Sequence, residues 1–111
     1  MLSVIKKPFQ SFFKRYQERV AARYPCQTLC WIEFVEKKYQ IEGMVLDLSP
    51  FGARVRPLSR FIVERSGALV RLRLERGEIM GEVRNATPMG YGVKFTIPLE
   101  DHDTKYYANI D

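Results

Sequence analysis

The chain has 111 residues, of which 46% are hydrophobic, 13% aromatic and 28% charged. This length and composition predict one compact soluble domain and exclude both a second domain and wholesale disorder. No apolar run approaches the roughly 18 residues that cross a bilayer, and residues 1–7 lack the apolar core of a signal peptide. We therefore expect a cytoplasmic protein without a transmembrane segment.

The net charge of +5 is concentrated at the N-terminus. Residues 1–23 contain six bases and one acid, so the remaining 12 bases and 12 acids of the chain, in residues 24–111, balance each other. A cationic lead-in before a neutral body predicts an anionic partner, which from charge alone could be a phosphate, a nucleic acid or an acidic membrane.

The basic N-terminal segment, residues 1–17, has helical periodicity. Its apolar stripe, which continues to residue 20, consists of Ile5, Phe9, Phe12, Phe13, Tyr16 and Val20. The stripe predicts an amphipathic helix over about residues 8–22, and Tyr24, because it precedes Pro25, ends that helix by about residue 23. Such a helix could lie on a membrane, dock a partner or pack on its own domain.

From residue 26 onward the pattern changes to short strands separated by turn residues. The predicted strands are Gln27–Val35, Tyr39–Leu48, Phe51–Pro57, 68–74, Glu78–Asn85 and 91–97. In the last of these, alternation places Tyr91, Val93, Phe95 and Ile97 on one face. Six strands in a meander predict a closed or nearly closed antiparallel β-barrel, and 99–109 is expected to form one short helix.

Metal and enzyme sites find little support in the sequence. Cys26 and Cys30 are the only cysteines, and in an extended chain they are too far apart for a disulfide. His102 is the only histidine, which leaves too few ligands for a Cys/His zinc site. Because no catalytic motif is present either, we expect a non-enzyme with two reduced thiols, no metal and no cofactor.

Two clusters stand out from this background. The first is the pair Arg19 and Arg23, extended upstream by Arg15. A spacing of four residues places both guanidinium groups on one side, where they could bind phosphates or the O6 and N7 edge of a guanine. On its own, however, this spacing is typical of a solvated helix face.

The second cluster lies between the second and third predicted strands, in the stretch Asp47–Gly52. The Asp47 carboxylate could accept the N1–H and N2–H of a guanine, and the Ser49 hydroxyl could bind a phosphate or a base edge. Gly52 allows a positive φ and a close approach of the backbone. Considered alone, this stretch is also compatible with an ordinary turn.

Together, RxxxR at Arg19 and Arg23 and DxSxxG at Asp47, Ser49 and Gly52 resemble the PilZ domain, the bacterial receptor for cyclic di-GMP. The resemblance covers about residues 18–100 and includes the closing strand 90–95. It implies an all-β, six-stranded PilZ-type barrel over residues 18–111, with cyclic di-GMP on its outer surface and no enzyme activity. It also implies a role in exopolysaccharide, biofilm, motility or pilus regulation through an unidentified protein effector.

The resemblance assigns roles to individual residues. Arg19 and Arg23 would hold phosphate and guanine in a clasp before the first strand, Asp47 and Ser49 would recognise a guanine edge, and Gly52 would allow close approach. Arg15 is a secondary candidate. Many family members carry another arginine where this chain has Glu18, so the sequence leaves one or two bound ligands open. It also leaves open whether residues 8–22 form a helix or a loop without ligand.

Two other functions remain compatible with the sequence. A PilZ-like adaptor could act through protein contacts without binding a nucleotide, and a small OB-like or SH3-like barrel could bind nucleic acid through its basic N-terminus. The charge neutrality of residues 24–111 disfavours the nucleic-acid barrel, so we expect no nucleic-acid partner. The downstream pathway and the oligomeric state, a homodimer included, stay open.

Overall fold

A computed structural model describes residues 22–59 and 66–108 of the chain. The six predicted strands and the C-terminal helix are confirmed. The strands are β1 (Tyr24–Phe34), β2 (Tyr39–Ser49), β3 (Gly52–Pro57), β4 (Leu69–Leu74), β5 (Gly77–Thr87) and β6 (Gly90–Phe95), and helix α1 is Asp101–Tyr107. Residues 8–21 of the helix predicted over residues 8–22, together with Arg15 and Arg19, lie outside the described residues, and residue 22 is not helical.

The strands form a closed antiparallel barrel with the order β1-β2-β3-β6-β5-β4. The prediction of a simple meander is therefore wrong at one connection, because β3 pairs with β6 and not with β4. β4 instead pairs with β1, on the side of β1 opposite β2. This arrangement gives every strand two neighbours and covers the apolar inner face of both sets of three strands.

The barrel consists of two halves that are each continuous in sequence. Within the first half (β1–β3) and the second half (β4–β6), neighbouring strands share between six and nine residue pairs. The halves meet at two shorter ladders of four pairs each. We call these the β3–β6 seam, at 52–55 and 91–94, and the β1–β4 seam, at 31–34 and 70–73.

The core lies inside the barrel, where alternate residues of all six strands meet. Its largest fully buried side chains are Tyr91, Ile32, Leu48, Leu72, Val45, Val55, Val70 and Val83. Burial of each aliphatic side chain contributes about 1.5–3 kcal/mol relative to leaving it in water. The expected inward position of Ile97 is wrong: β6 ends at Phe95, and Ile97 is 76% exposed.

Helix α1 is tied to the barrel through Tyr107, which is buried. The Tyr107 hydroxyl accepts a hydrogen bond from the backbone N–H of Arg76 at 2.8 Å, and its carbonyl accepts one from the Thr28 hydroxyl at 3.2 Å. The helix therefore joins β1 to the β4–β5 turn. No helix within the described ranges is long and apolar enough to span a membrane.

The two cysteines are free thiols, as expected. Cys30 is buried in the core and Cys26 is half-buried. Burial raises the pKa of the Cys30 thiol to about 12, with a smaller contribution from Cys26. Cys30 therefore stays protonated and behaves as a small core side chain.

Candidate functional site

A row of directly paired residues crosses five strands of the barrel. From β1 to β5 it consists of Pro25, Asp47, Arg54, Gly92 and Asn85, each residue lying opposite the next. We call it the cross-strand row. It brings a carboxylate, a guanidinium and a carboxamide from three different strands to one level of the barrel.

Irregular pairing produces this row. Leu46 is an extra residue of β2 relative to β3, and Arg84 is an extra residue of β5 relative to β6, each immediately before the row is reached. β1 shows a further register shift between Pro25 and Thr28. A bulge bends its strand, increases the local twist and redirects side chains. Two bulged strands, β2 and β5, thus flank the regular β3–β6 seam, and the bulged β1 lies beyond β2.

Asp47 is the centre of the charged contacts on the row. Its Oδ1 accepts hydrogen bonds from Arg23 Nε at 3.1 Å and from Arg23 Nη2 at 2.7 Å. Its Oδ2 lies 3.8 Å from Arg54 Nε. The Asp47 side chain is 26% exposed and that of Arg23 is 54% exposed, so the pair is accessible from solvent. The structure therefore joins Arg23 of the first motif to Asp47 of the second.

Ser49 is buried and shapes the turn between β2 and β3. Its hydroxyl accepts hydrogen bonds from the backbone N–H groups of Phe51 and Gly52, both at 3.2 Å, and donates one to the Gly52 carbonyl at 3.3 Å. A serine oxygen that caps a tight turn in this way is a common local motif. A direct contact between Ser49 and a ligand, which stays a prediction, would replace the bond to the Gly52 carbonyl.

Gly52 does not use the positive φ that a glycine allows: among the described glycines only Gly67, Gly77 and Gly90 have one. Gly52 instead permits close approach between strands, since a Cβ atom at this position would lie 2.5 Å from the Val93 carbonyl oxygen. Its absent side chain lets β3 and β6 meet at the seam.

A cleft of about 420 Å³ lies over the β3–β6 seam and beside the Asp47–Arg23 pair. Its lining includes four cationic side chains, Arg23, Arg54, Arg84 and Lys94. Gly92 and Asn85 form another part of the lining, and the Asn85 carboxamide lies over the Gly92 backbone. Basic groups around a shallow cleft favour an anion that can be gripped by more than one guanidinium.

Sequence reasoning did not select Arg54, Arg84, Asn85, Gly92 or Lys94 as site residues. Strand alternation could have placed Arg54, Gly92 and Lys94 on the outer face of the barrel. It could not have placed Asn85 there, because Arg84 and Asn85 are consecutive and both exposed only through the bulge.

A larger cleft, of about 670 Å³, lies elsewhere on the barrel, where β1 diverges from β4. It is lined by Leu29 and Trp31 and by a single arginine, Arg73, whose charge is paired with Glu33 and Glu78. Volume alone would favour this cleft as the binding site. The smaller one has the charge an anionic ligand requires, and it contains Arg23, Ser49 and Gly52.

The side chains of the cross-strand row and its cleft can bind an anionic ligand. Cations can hold phosphates, Asp47 can accept hydrogen bonds from a base, and Asn85 can both donate and accept. Within residues 22–59 and 66–108, no group of three or more His, Cys, Asp or Glu side chains could hold a metal ion. Comparison with known proteins gave no match, either to a protein-family model or to a curated protein.

Proposed function

We propose that this protein is a cytoplasmic receptor for cyclic di-GMP and that the cleft over the β3–β6 seam is its binding site. The observation that carries the proposal is the contact between the two sequence motifs, in which Arg23 donates two hydrogen bonds to Asp47 beside a cleft lined by four cations. A ligand with two guanines and two phosphates needs both cations and a carboxylate acceptor. The cleft supplies the cations, and Asp47, which contacts the lining residues Arg23 and Arg54, supplies the carboxylate beside it.

Binding would proceed by an exchange of partners. In the structure, the Asp47 carboxylate faces the guanidinium groups of Arg23 and Arg54. The guanine N1–H and N2–H would take over the hydrogen bonds to Asp47, and a ligand phosphate would take over Arg23. Because an exposed ion pair is worth only about 0–1 kcal/mol, its loss opposes binding weakly.

The signal would leave the site through the chain that precedes β1. Arg23 is the second arginine of the RxxxR motif and lies one residue before β1, whereas Arg19 lies outside the described residues. A phosphate that engages both arginines would order the segment that carries them and create a surface for a protein effector. The PilZ resemblance supports this relay, and the concentration of the net charge in residues 1–23 agrees with it.

Isothermal titration calorimetry with cyclic di-GMP tests the proposal. The full chain is expected to bind the ligand at micromolar concentration or below, and Arg23→Ala is expected to weaken binding at least tenfold by removing a charged hydrogen-bond donor. Arg73→Ala is the matched control, because Arg73 is similarly exposed (47% against 54%) but lies away from the cleft. Its affinity should stay within twofold of the parent.

Absence of heat at tens of micromolar ligand, or an Arg23→Ala variant that binds like the parent, would overturn the proposal. A titration with a single-stranded oligonucleotide separates the alternatives. Strong oligonucleotide binding that falls steeply with salt, without competition by cyclic di-GMP, would indicate the nucleic-acid barrel. No binding of either ligand by the folded chain would leave the adaptor that acts through protein contacts.

A further inference from the structure

We propose that Asn85 recognises the second base of the ligand and accepts either guanine or adenine there, whereas Asp47 requires guanine at the first base. This inference rests on the proposed function and deepens it. It defines the ligand class as cyclic dinucleotides with at least one guanine, and it makes Asn85 a specificity-determining residue.

The first argument is position. Asp47 and Asn85 lie at the same level of the barrel, on β2 and β5, with Arg54 and Gly92 between them. Three strand spacings separate them, which corresponds to about 14 Å along the curved surface. A dinucleotide in an extended conformation can place its two bases over such a span, with its phosphates above the intervening Arg54.

The second argument is the local surface around Asn85. Gly92 has no side chain, and a Cβ atom there would lie 2.7 Å from Asn85 Oδ1 and 3.0 Å from Nδ2. The carboxamide therefore rests on a flat glycine floor at the edge of the cleft. Asn85 is exposed, and no hydrogen bond joins its side chain to any other residue that the structure describes. Its donor and its acceptor are both available to a ligand.

The third argument is hydrogen-bonding chemistry. A carboxylate only accepts, so Asp47 suits the paired N–H donors of guanine and offers nothing to the acceptor positions of adenine. A carboxamide carries one acceptor and two donors, and it can pair with the N6 and N7 positions of adenine. Rotated by half a turn, it can instead donate to guanine O6 and accept from guanine N1–H. The two ends of the cross-strand row therefore differ in selectivity.

Calorimetric titrations with three ligands test this inference: cyclic di-GMP, the mixed cyclic guanine–adenine dinucleotide and cyclic di-AMP. The parent chain is expected to bind the mixed ligand within about tenfold of cyclic di-GMP. It should bind cyclic di-AMP about 5- to 150-fold more weakly, since the contact between a side chain and a base edge is worth about 1–3 kcal/mol. Asn85→Ala should weaken binding of both guanine-containing ligands by about 5- to 30-fold.

Asn85→Asp is the sharper variant. An acceptor-only side chain retains guanine but loses a hydrogen bond to adenine, so the preference for cyclic di-GMP over the mixed ligand should rise at least about tenfold. Asn85 is exposed, so both variants should fold, and thermal melting of each checks this. Asp47→Asn provides the reciprocal comparison: it should weaken cyclic di-GMP and relax the discrimination against cyclic di-AMP.

Two results would overturn the inference while leaving the proposed function intact. One is a parent chain that binds cyclic di-GMP but binds the mixed ligand more than 100-fold more weakly. The other is an Asn85→Ala variant whose affinities for both ligands stay within twofold of the parent. A parent chain that fails to bind cyclic di-GMP at all would overturn the proposed function itself.

Discussion

The two seams of the barrel are alike in length and opposite in chemistry. The β1–β4 seam is crossed by a neutral set of ion pairs, in which Arg71 lies 2.7 Å from Glu33 and 3.3 Å from Glu78, and Arg73 lies 3.2 Å from Glu78. The β3–β6 seam has Gly52 on one strand and Gly92 on the other, with a cleft above it.

The difference shows that the number of arginines does not identify a binding site. Two arginines and two glutamates on the β1–β4 side satisfy each other, so that face has little left to offer an anion. On the β3–β6 side, Arg23 and Arg54 share one carboxylate, and Arg84 is 3.9 Å from Glu82. Fewer close acids per cation leave the field of the cleft positive.

The largest expected effect concerns the glycines of the β3–β6 seam. Gly52→Ala should lower the free energy of unfolding by about 1–3 kcal/mol, because the new Cβ meets the Val93 backbone, which cannot move without separating the strands. Urea unfolding followed by circular dichroism measures this change.

Gly92→Ala is the matched control for that prediction. Its Cβ would meet only the end of the Asn85 side chain, which can rotate away. We expect a stability loss below about 1 kcal/mol, together with weaker binding of cyclic di-GMP. Equal stability losses for Gly52→Ala and Gly92→Ala would show that the seam is not held by close strand contact at Gly52.

An arginine at one seam should affect ligand binding, whereas an arginine at the other seam should not. Arg54→Ala should weaken cyclic di-GMP binding about tenfold or more, because it removes a guanidinium from the cleft. Arg71→Ala on the other seam should leave the affinity within twofold, since all its charged contacts are with Glu33 and Glu78. Fluorescence or calorimetric titration measures both, and equal losses of affinity would contradict the contrast between the seams.

The smallest effect is the strength of the ion pair across the β1–β4 seam. A double-mutant cycle of Glu33→Ala and Arg71→Ala should give a coupling free energy of about 0.5–1 kcal/mol, because these side chains are only 21% and 30% exposed. Chemical unfolding in low and high salt measures it, and the coupling should shrink at about 1 M salt. A coupling indistinguishable from zero at low salt would show that the Glu33–Arg71 ion pair does not stabilise the barrel.

Much of this fold could be predicted because strand alternation is a local signal. Val70 and Leu72 alternate with Arg71 and Arg73 in the sequence and do so in the structure. The pairing of β3 with β6 was not predictable in this way, since it depends on where the connection between β3 and β4 leads. The sequence pattern predicts where the strands are, whereas which strands pair with each other depends on how the whole sheet closes.

Part of the candidate site could likewise be predicted from the sequence, and part could not. Arg23 and Asp47 are 24 residues apart, and the resemblance of their two motifs to those of the PilZ domain predicts that they act together; the structure shows them in contact. Asn85 has no motif around it, and it reaches the cleft only because Arg84 is an extra residue in β5. Bulges arise from mismatched registers between distant strands, so local sequence reasoning did not detect them.

The division of the barrel into two sequence-local halves has a consequence for its motions. The strands within each half are consecutive in sequence, and the two halves are joined by two ladders of only four residue pairs each. These two ladders are therefore where transient opening should expose backbone amides to exchange with solvent. A ligand that contacts Asp47 in the first half and Asn85 in the second would hold the two halves together across the β3–β6 ladder. Ligand binding would then slow amide exchange along the β3–β6 ladder, so that the bound ligand changes the dynamics of the barrel.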